Sequence, residues 1–406
     1  MNNATWIWPN STAAYNEYAE FYGEFNYDHG KTICNISCDG DYVLYVNGKY
    51  VSSNQYRDFE HYKIYDSIDL GSFLTKGLNR FAVLVWHFGK PTHRNVNAKP
   101  GLCFEVENTF DGKTVTLLKS CEAIKSRLSK AYVSHHEKQI SKQLGYSFIY
   151  DSTKEDDWIN GRGYDFNSST VIDKKCEFFP RPVKKLEIDR RKRAEIIDLD
   201  PSGRIVIDLG EETVGLPELE FHSPCDQEII VKYGEYLKDG RVKDKLENHS
   251  DFSFTYIAKE GYNHYINYML KLGCRYLEIE CKSPIKVEYI GILPHYYPVE
   301  ELPYDFGSKE DNDIYSLCLR TLRLCMMEHY YDCPWREQGL YSFDARNQML
   351  CGYYAFKGGN YDYARANLLL MSKDRRSDGL LSITFPCGTP FTIPGYSLYF
   401  IIAVKE

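Results

Sequence analysis

The sequence contains no apolar run approaching the ~20 residues that a membrane-spanning helix requires, which argues against a membrane protein. Its first residues, Met-Asn-Asn-Ala-Thr-Trp-Ile-Trp, lack a basic segment followed by an apolar core, so no signal peptide is visible. Thirteen cysteines are scattered without a Cys-x-x-Cys pair. The closest, Cys34 and Cys38, fall on one face of a predicted strand, too far apart for easy bridging. Reduced thiols and a cytoplasmic location are the expectation. Histidines are equally dispersed, and His135-His136 has no partner at ligand spacing, so neither a metal nor a cofactor is expected. Positive charge is also short, the net charge being −8. Nucleic acid is therefore excluded as a partner, since a basic stripe is needed to meet phosphates. The one basic run, Lys184-Lys185 followed by Arg190-Arg191-Lys192-Arg193, lies close to Pro180 and Pro182 and reads as an interdomain linker or a solvated strand edge.

What the chain does have is tyrosine, 35 of them against 21 Phe and 5 Trp. A tyrosine ring packs while its hydroxyl stays hydrogen-bonded, which suits both β-sheet surfaces and polar ligand sites. The total of 406 residues allows two or three domains, each with its own core. Residues 1–183 read as a first β-sandwich. Thr32–Cys38 alternates apolar and polar residues, Asp39-Gly40-Asp41 turns the chain, and Tyr42-Val-Leu-Tyr-Val46 follows as a strand. Asn47-Gly48 is a hairpin signal, because both positions tolerate positive φ. Gly77-Leu-Asn-Arg-Phe-Ala-Val-Leu-Val-Trp86 supplies a further turn and buried strand.

A second β-sandwich is expected over residues 184–300. Arg204-Ile-Val-Ile-Asp-Leu-Gly210 and Glu228-Ile-Ile-Val-Lys-Tyr-Gly234 are strands ending at glycine, and Asp239-Gly240 is a turn opening a charged loop. In Gly273–Glu280 the alternation predicts Leu277 and Ile279 inside, with Glu278 and Glu280 toward solvent. After Pro303 the period changes to about 3.6. Ser308 caps a helix, with Asp311 three residues on, and Ile314, Leu317, Cys318, Leu322, Cys325 and Met326 share one face. A second helix is expected over residues 344–356, closed by Gly358-Gly359, a third over 362–371, and a fourth from near Ser397.

Between the first two helices, three carboxylates stand among aromatic rings: Asp332, Glu337 five residues later, and Asp344 seven beyond that. Sugar-processing sites use these materials, with acids to handle protons and hydroxyls and flat rings to pack against pyranose faces. Converging acids repel, so at least one should have a raised pKa. The same residues also admit a plain structural reading, with Asp344 as a helix cap, Asp332 as a turn residue and Glu337 paired with Arg336.

Asp332-Cys-Pro-Trp-Arg-Glu337, with Asp344 downstream, resembles the signature of the α-L-rhamnosidases of glycoside hydrolase family 78. Ile207-Asp-Leu-Gly210 with Tyr233-Gly-Glu235, and Gly273-Cys-Arg-Tyr-Leu277, are similar to patterns that the family carries before its catalytic domain. Leu-Tyr-Val-Asn-Gly and Leu-Asn-Arg-Phe-Ala-Val in the first segment resemble the galactose-binding-like jelly roll that accompanies many glycosidases, here with a supporting role. The resemblance implies β-sandwiches followed by an (α/α)6 six-hairpin barrel that begins near residue 301. It also implies inverting hydrolysis of terminal α-L-rhamnose from glycosides or oligosaccharides. Glu337 would be the general acid, Asp332 and Asp344 would bind sugar hydroxyls, and Arg336 would orient a carboxylate. Tyr341 stands where family members commonly place a tryptophan against the sugar.

Inversion needs a second carboxylate as general base, which relatives draw from the later half of the barrel. The only glutamate after Glu337 is Glu406. The expectation is therefore a front part of such an enzyme, with an incomplete barrel, an exposed apolar seam and no activity of its own. Two other readings stay open: a non-catalytic carbohydrate-binding or scaffold protein, and a six-hairpin glycosidase for another sugar.

Overall fold

The computed structural model describes the chain apart from residues 2, 3, 13, 14, 201, 202, 248, 375 and 390. It is mostly β, and the α-helices among the described residues all follow residue 308. In the first segment a seven-stranded sheet faces a six-stranded one. The seven-stranded sheet has Leu102–Phe110 and Lys31–Cys38 at its centre, and the six-stranded sheet is built around Glu17–Tyr27 and Gly77–His87. Alternation drives the packing. Cys34, Ile36, Phe104 and Val106 point in from one sheet and meet Phe21, Leu44, Phe81 and Val83 from the other. The hairpin joins Asp41–Val46 to Lys49–Ser53, with positive φ at Asn47 (52°) and Gly48 (74°).

Most strands of the second β region are linked through one long strand into a nine-stranded sheet, with a separate two-stranded ribbon of Leu237–Lys238 and Arg241–Val242. The spine of the sheet is Ile205–Ser223, a 19-residue strand long enough to serve different partners along its length. Its first part pairs with Leu272–Cys281 and its later part with Lys286–Tyr296 and Gly261–Ile266. The register shifts between Asp208 and Thr213, around Gly210 at φ 81°, so Glu211 and Glu212 leave the ladder. A strand from the first segment, Ile149–Asp151, joins this sheet in parallel with Ser253–Ala258. Leu277 and Ile279 are inside as the alternation requires, but Glu278 is also buried. Arg241, Lys232 and the Val242 amide draw it in. The basic run stitches the two β regions. Lys185 reaches Asp66 at 2.7 Å, and Arg191 grips Glu218 and Glu220.

Four helices follow: α1 (Lys309–Leu324), α2 (Ser342–Ala355), α3 (Tyr361–Met371) and α4 (Pro394–Lys405). Ser308 caps α1, its hydroxyl accepting from the Asp311 amide at 3.4 Å. Of the predicted α1 face, Leu322, Cys325 and Met326 are buried. Ile314, Leu317 and Cys318 are exposed, because no element covers the N-terminal half of that face. Helix α2 starts two residues before the expected position, which puts Asp344 in its first turn instead of at its cap. The helices close over a core of Leu322, Met326, Met349 and Leu370, which continues into Tyr56 and Phe59 of the first sandwich. Among the described residues no helix is long and apolar enough to cross a membrane.

Candidate active site

The acidic segment is a loop tied down at both ends. The Asp332 amide donates to the Gly339 carbonyl at 2.9 Å, and the Gly339 amide returns a bond to Asp332 Oδ1 at 2.8 Å. Upstream, the Tyr331 amide donates to the Cys325 carbonyl at 2.8 Å, and the Tyr330 amide donates to Asn367 Oδ1 of α3 at 3.0 Å. Inside the loop Trp335 is buried and packs on Phe252, just before strand Ser253–Ala258, with ring centroids 4.7 Å apart. Gln338, at φ 50°, joins three parts of the molecule. Its amide nitrogen donates to the carbonyls of Pro334 and Lys271, and its oxygen accepts from Arg94 of the first sandwich.

This frame turns the carboxylates toward one another. Burial raises Asp332 to about 6, and the charge of Glu337 adds to that shift. Asp344 is raised by burial and then by Glu337. The Tyr396 hydroxyl, in the first turn of α4, is raised by burial and then by Asp344, Glu337 and Asp332 together. One phenol therefore senses all three acids. Tyr341 donates its hydroxyl proton to Glu337 Oε2, and burial and that bond raise its pKa. Its ring meets Tyr396 edge-on, with centroids 6.2 Å apart. Arg336 is exposed, and its charge acts on the carboxylate of Glu235, in the bend after strand Gln227–Gly234.

Several residues at this site have no local signal in the sequence. His93, on a loop of the first sandwich, places Nδ1 3.3 Å from the Tyr341 hydroxyl. That hydroxyl's single proton already serves Glu337, so the imidazole donates. The Thr384 hydroxyl donates to the His93 carbonyl, and the Phe385 amide donates to the Leu340 carbonyl at 3.2 Å. Glu212, pushed out at the strand bulge, is raised to about 8 by burial and by Glu235, against the pull of Arg320. A Cβ on Gly273 would stand 2.1 Å from the Pro334 carbonyl oxygen, so glycine there lets the sheet back the loop directly. Among the described residues one group has ligand spacing for a cation, Glu218, Glu220 and His264, and the Arg191 guanidinium already bridges its two carboxylates.

Residues 199–289 match the family model of the bacterial alpha-L-rhamnosidase concanavalin-like domain. All of the chain superposes on 66% of a GH78 family rhamnosidase from Bacillus sp. GL1, with a TM-score of 0.87 at 18% identity. The α-L-rhamnosidase of Dictyoglomus thermophilum gives 0.80 at 18% identity, over 99% of this chain and 48% of that one. The Chain has the fold of the family 78 rhamnosidases. A Streptomyces avermitilis α-L-rhamnosidase solved with L-rhamnose also matches, at 0.77 and 18% identity, over 93% of this chain and 38% of that one. The chain thus spans between 38% and 66% of the length of these rhamnosidases. No curated protein matches its sequence.

Proposed function

We propose that this chain is a rhamnosidase-like glycoside hydrolase component whose acidic loop holds a terminal α-L-rhamnose. Three modules serve it: sandwiches over residues 1–183 and 184–300, and the first helices of an (α/α)6 barrel over 301–406. Glu337 is the general acid. It passes its proton to the glycosidic oxygen as the bond from that oxygen to the anomeric carbon breaks. Asp332 and Asp344 accept hydrogen bonds from ring hydroxyls, Tyr341 presents an aromatic wall, and Arg336 orients the Glu235 carboxylate at the rim. The observation that supports this reading is that the charges of all three carboxylates act on the Tyr396 hydroxyl, within the rhamnosidase fold.

Inversion also needs a base about 6.5–9.5 Å from the acid to activate water. Glu406 does not fill that place, since it is engaged by Arg346. Residues 1–406 alone should therefore bind L-rhamnose but hydrolyse p-nitrophenyl α-L-rhamnoside slowly or not at all. Titration calorimetry tests the binding: Asp332→Asn with Asp344→Asn should weaken L-rhamnose at least ~tenfold, about 1.4 kcal/mol, while Glu337→Gln keeps it. Equal affinity in the double variant would refute the sugar site. Brisk release of p-nitrophenol by the unaltered chain would refute the missing base.

A further inference from the structure

A second aromatic hollow lies away from the acidic loop, between the six-stranded sheet of the first sandwich and the nine-stranded sheet. Its volume is about 350 Å³, within the roughly 300–1,000 Å³ of small-molecule sites. Tyr45 comes from the first sandwich, Trp158 from a short 3-10 turn, Tyr150 from the strand that crosses over, Tyr265 from strand Gly261–Ile266 and Tyr268 from the turn after it. The Tyr45 and Trp158 rings meet at 83° with centroids 6.3 Å apart, and Tyr268 is stacked on Tyr50 at 4.2 Å. A larger hollow of about 810 Å³ in the first sandwich has a single phenol ring, Tyr15, in its wall.

The charged groups around the aromatic hollow are held in ion pairs. Arg127 takes both Glu20 and Asp156 at 2.7 Å, Lys259 takes Glu155 at 2.7 Å, and Arg162 lies 3.3 Å from Asp157. An anion would meet these carboxylates, and a cation would meet their partners. What remains unspent is hydrogen-bonding capacity without charge. Among the described residues the hydroxyls of Tyr45 and Tyr268 and the indole N–H of Trp158 have no hydrogen-bond partner. Glu155 accepts from Tyr150 at 2.7 Å and from Lys259, and an ionised carboxylate has further lone pairs to offer. Flat rings edged with spare donors and acceptors, in a hollow whose charged side chains are already paired, match a neutral polyol ring with apolar faces and hydroxyl edges.

We infer that this hollow between the two β regions is a second carbohydrate site, which takes a neutral mono- or disaccharide independently of the acidic loop. The test uses the whole chain carrying Asp332→Asn and Asp344→Asn, so that binding at the acidic loop is weakened and the Trp158 signal reports the hollow. L-rhamnose, D-galactose and D-glucose are titrated separately, with the Trp158 indole N–H followed by NMR. At least one sugar should bind saturably and move that resonance, and adding Trp158→Ala should weaken it at least ~tenfold. Glu155→Gln, at an exposed position, should weaken the same sugar and serves if the alanine variant fails to fold. Absence of saturable binding by every sugar would overturn the inference. So would binding that both variants leave intact, or binding of tetramethylammonium in place of any sugar. None of these outcomes bears on the acidic loop, which is tested by its own substitutions.

Discussion

His93 lies 248 residues before Tyr341 and yet shares its hydroxyl. Burial holds the imidazole below its usual pKa, while the charge of Glu337 works in the opposite direction. Glu337→Gln removes that charge but keeps an acceptor for Tyr341, so the His93 pKa should fall further. A folded-state imidazole pKa below the unfolded value near 6.5 costs stability as pH falls through that value, and the variant should enlarge this cost at about pH 5. An NMR titration of the His93 ring proton checks the sign, and an unchanged or higher pKa in the variant would count against the contact. Asp332, Glu337 and Asp344 were legible as a group because their spacing is a local pattern. His93 and Tyr396 were not, because nothing near them in sequence distinguishes a site residue from any other histidine or tyrosine. Asp332 and Asp344 have raised pKa values, through burial first and the charge of Glu337 second.

At the scale of single elements, alternation and turn chemistry carried the reading well. Strand Lys31–Cys38, the Asn47-Gly48 hairpin and the Ser308 cap lie where local rules put them. The failures share one cause, since period says which residues share a face but not whether another element covers it. Glu278 is buried through ion pairs brought by another hairpin, and Leu317 is 66% exposed on a helix face that sequence alone would place inside. Gly273 shows how one element supports the next. Gly273→Ala would drive a methyl group into the Pro334 backbone, which has no flexible end to swing away. Overpacking of this kind costs about 1–3 kcal/mol. Denaturant unfolding should show that loss, and L-rhamnose binding should weaken with it because Asp332 lies two residues from Pro334. A variant with full stability and full affinity would contradict the close approach.

Across the whole molecule, buried charges hold the modules together. Lys271, just before strand Leu272–Cys281, pairs with Glu328 beside the acidic loop at 2.8 Å, with both side chains almost fully enclosed. Burial alone would raise Glu328, but Lys271, Arg57 and Arg181 hold its carboxyl well below the usual range. Lys271→Met strands a buried carboxylate and should cost about 3–5 kcal/mol, whereas Lys271→Met with Glu328→Leu should recover much of that loss. Thermal unfolding of both variants measures the difference. A double variant no more stable than the single one would show that the pair matters through something other than its charge. Taken by itself, the sequence determined the β-then-α order, most turns and caps, and the spacing of the three acids, because backbone preference and side-chain period act over a few residues. The meeting of His93, Gln338, Gly273 and Tyr396 around those acids, and the aromatic hollow between the β regions, came from the three-dimensional packing alone. Such contacts join residues hundreds of positions apart, and their energies depend on burial and on partners that no local pattern encodes.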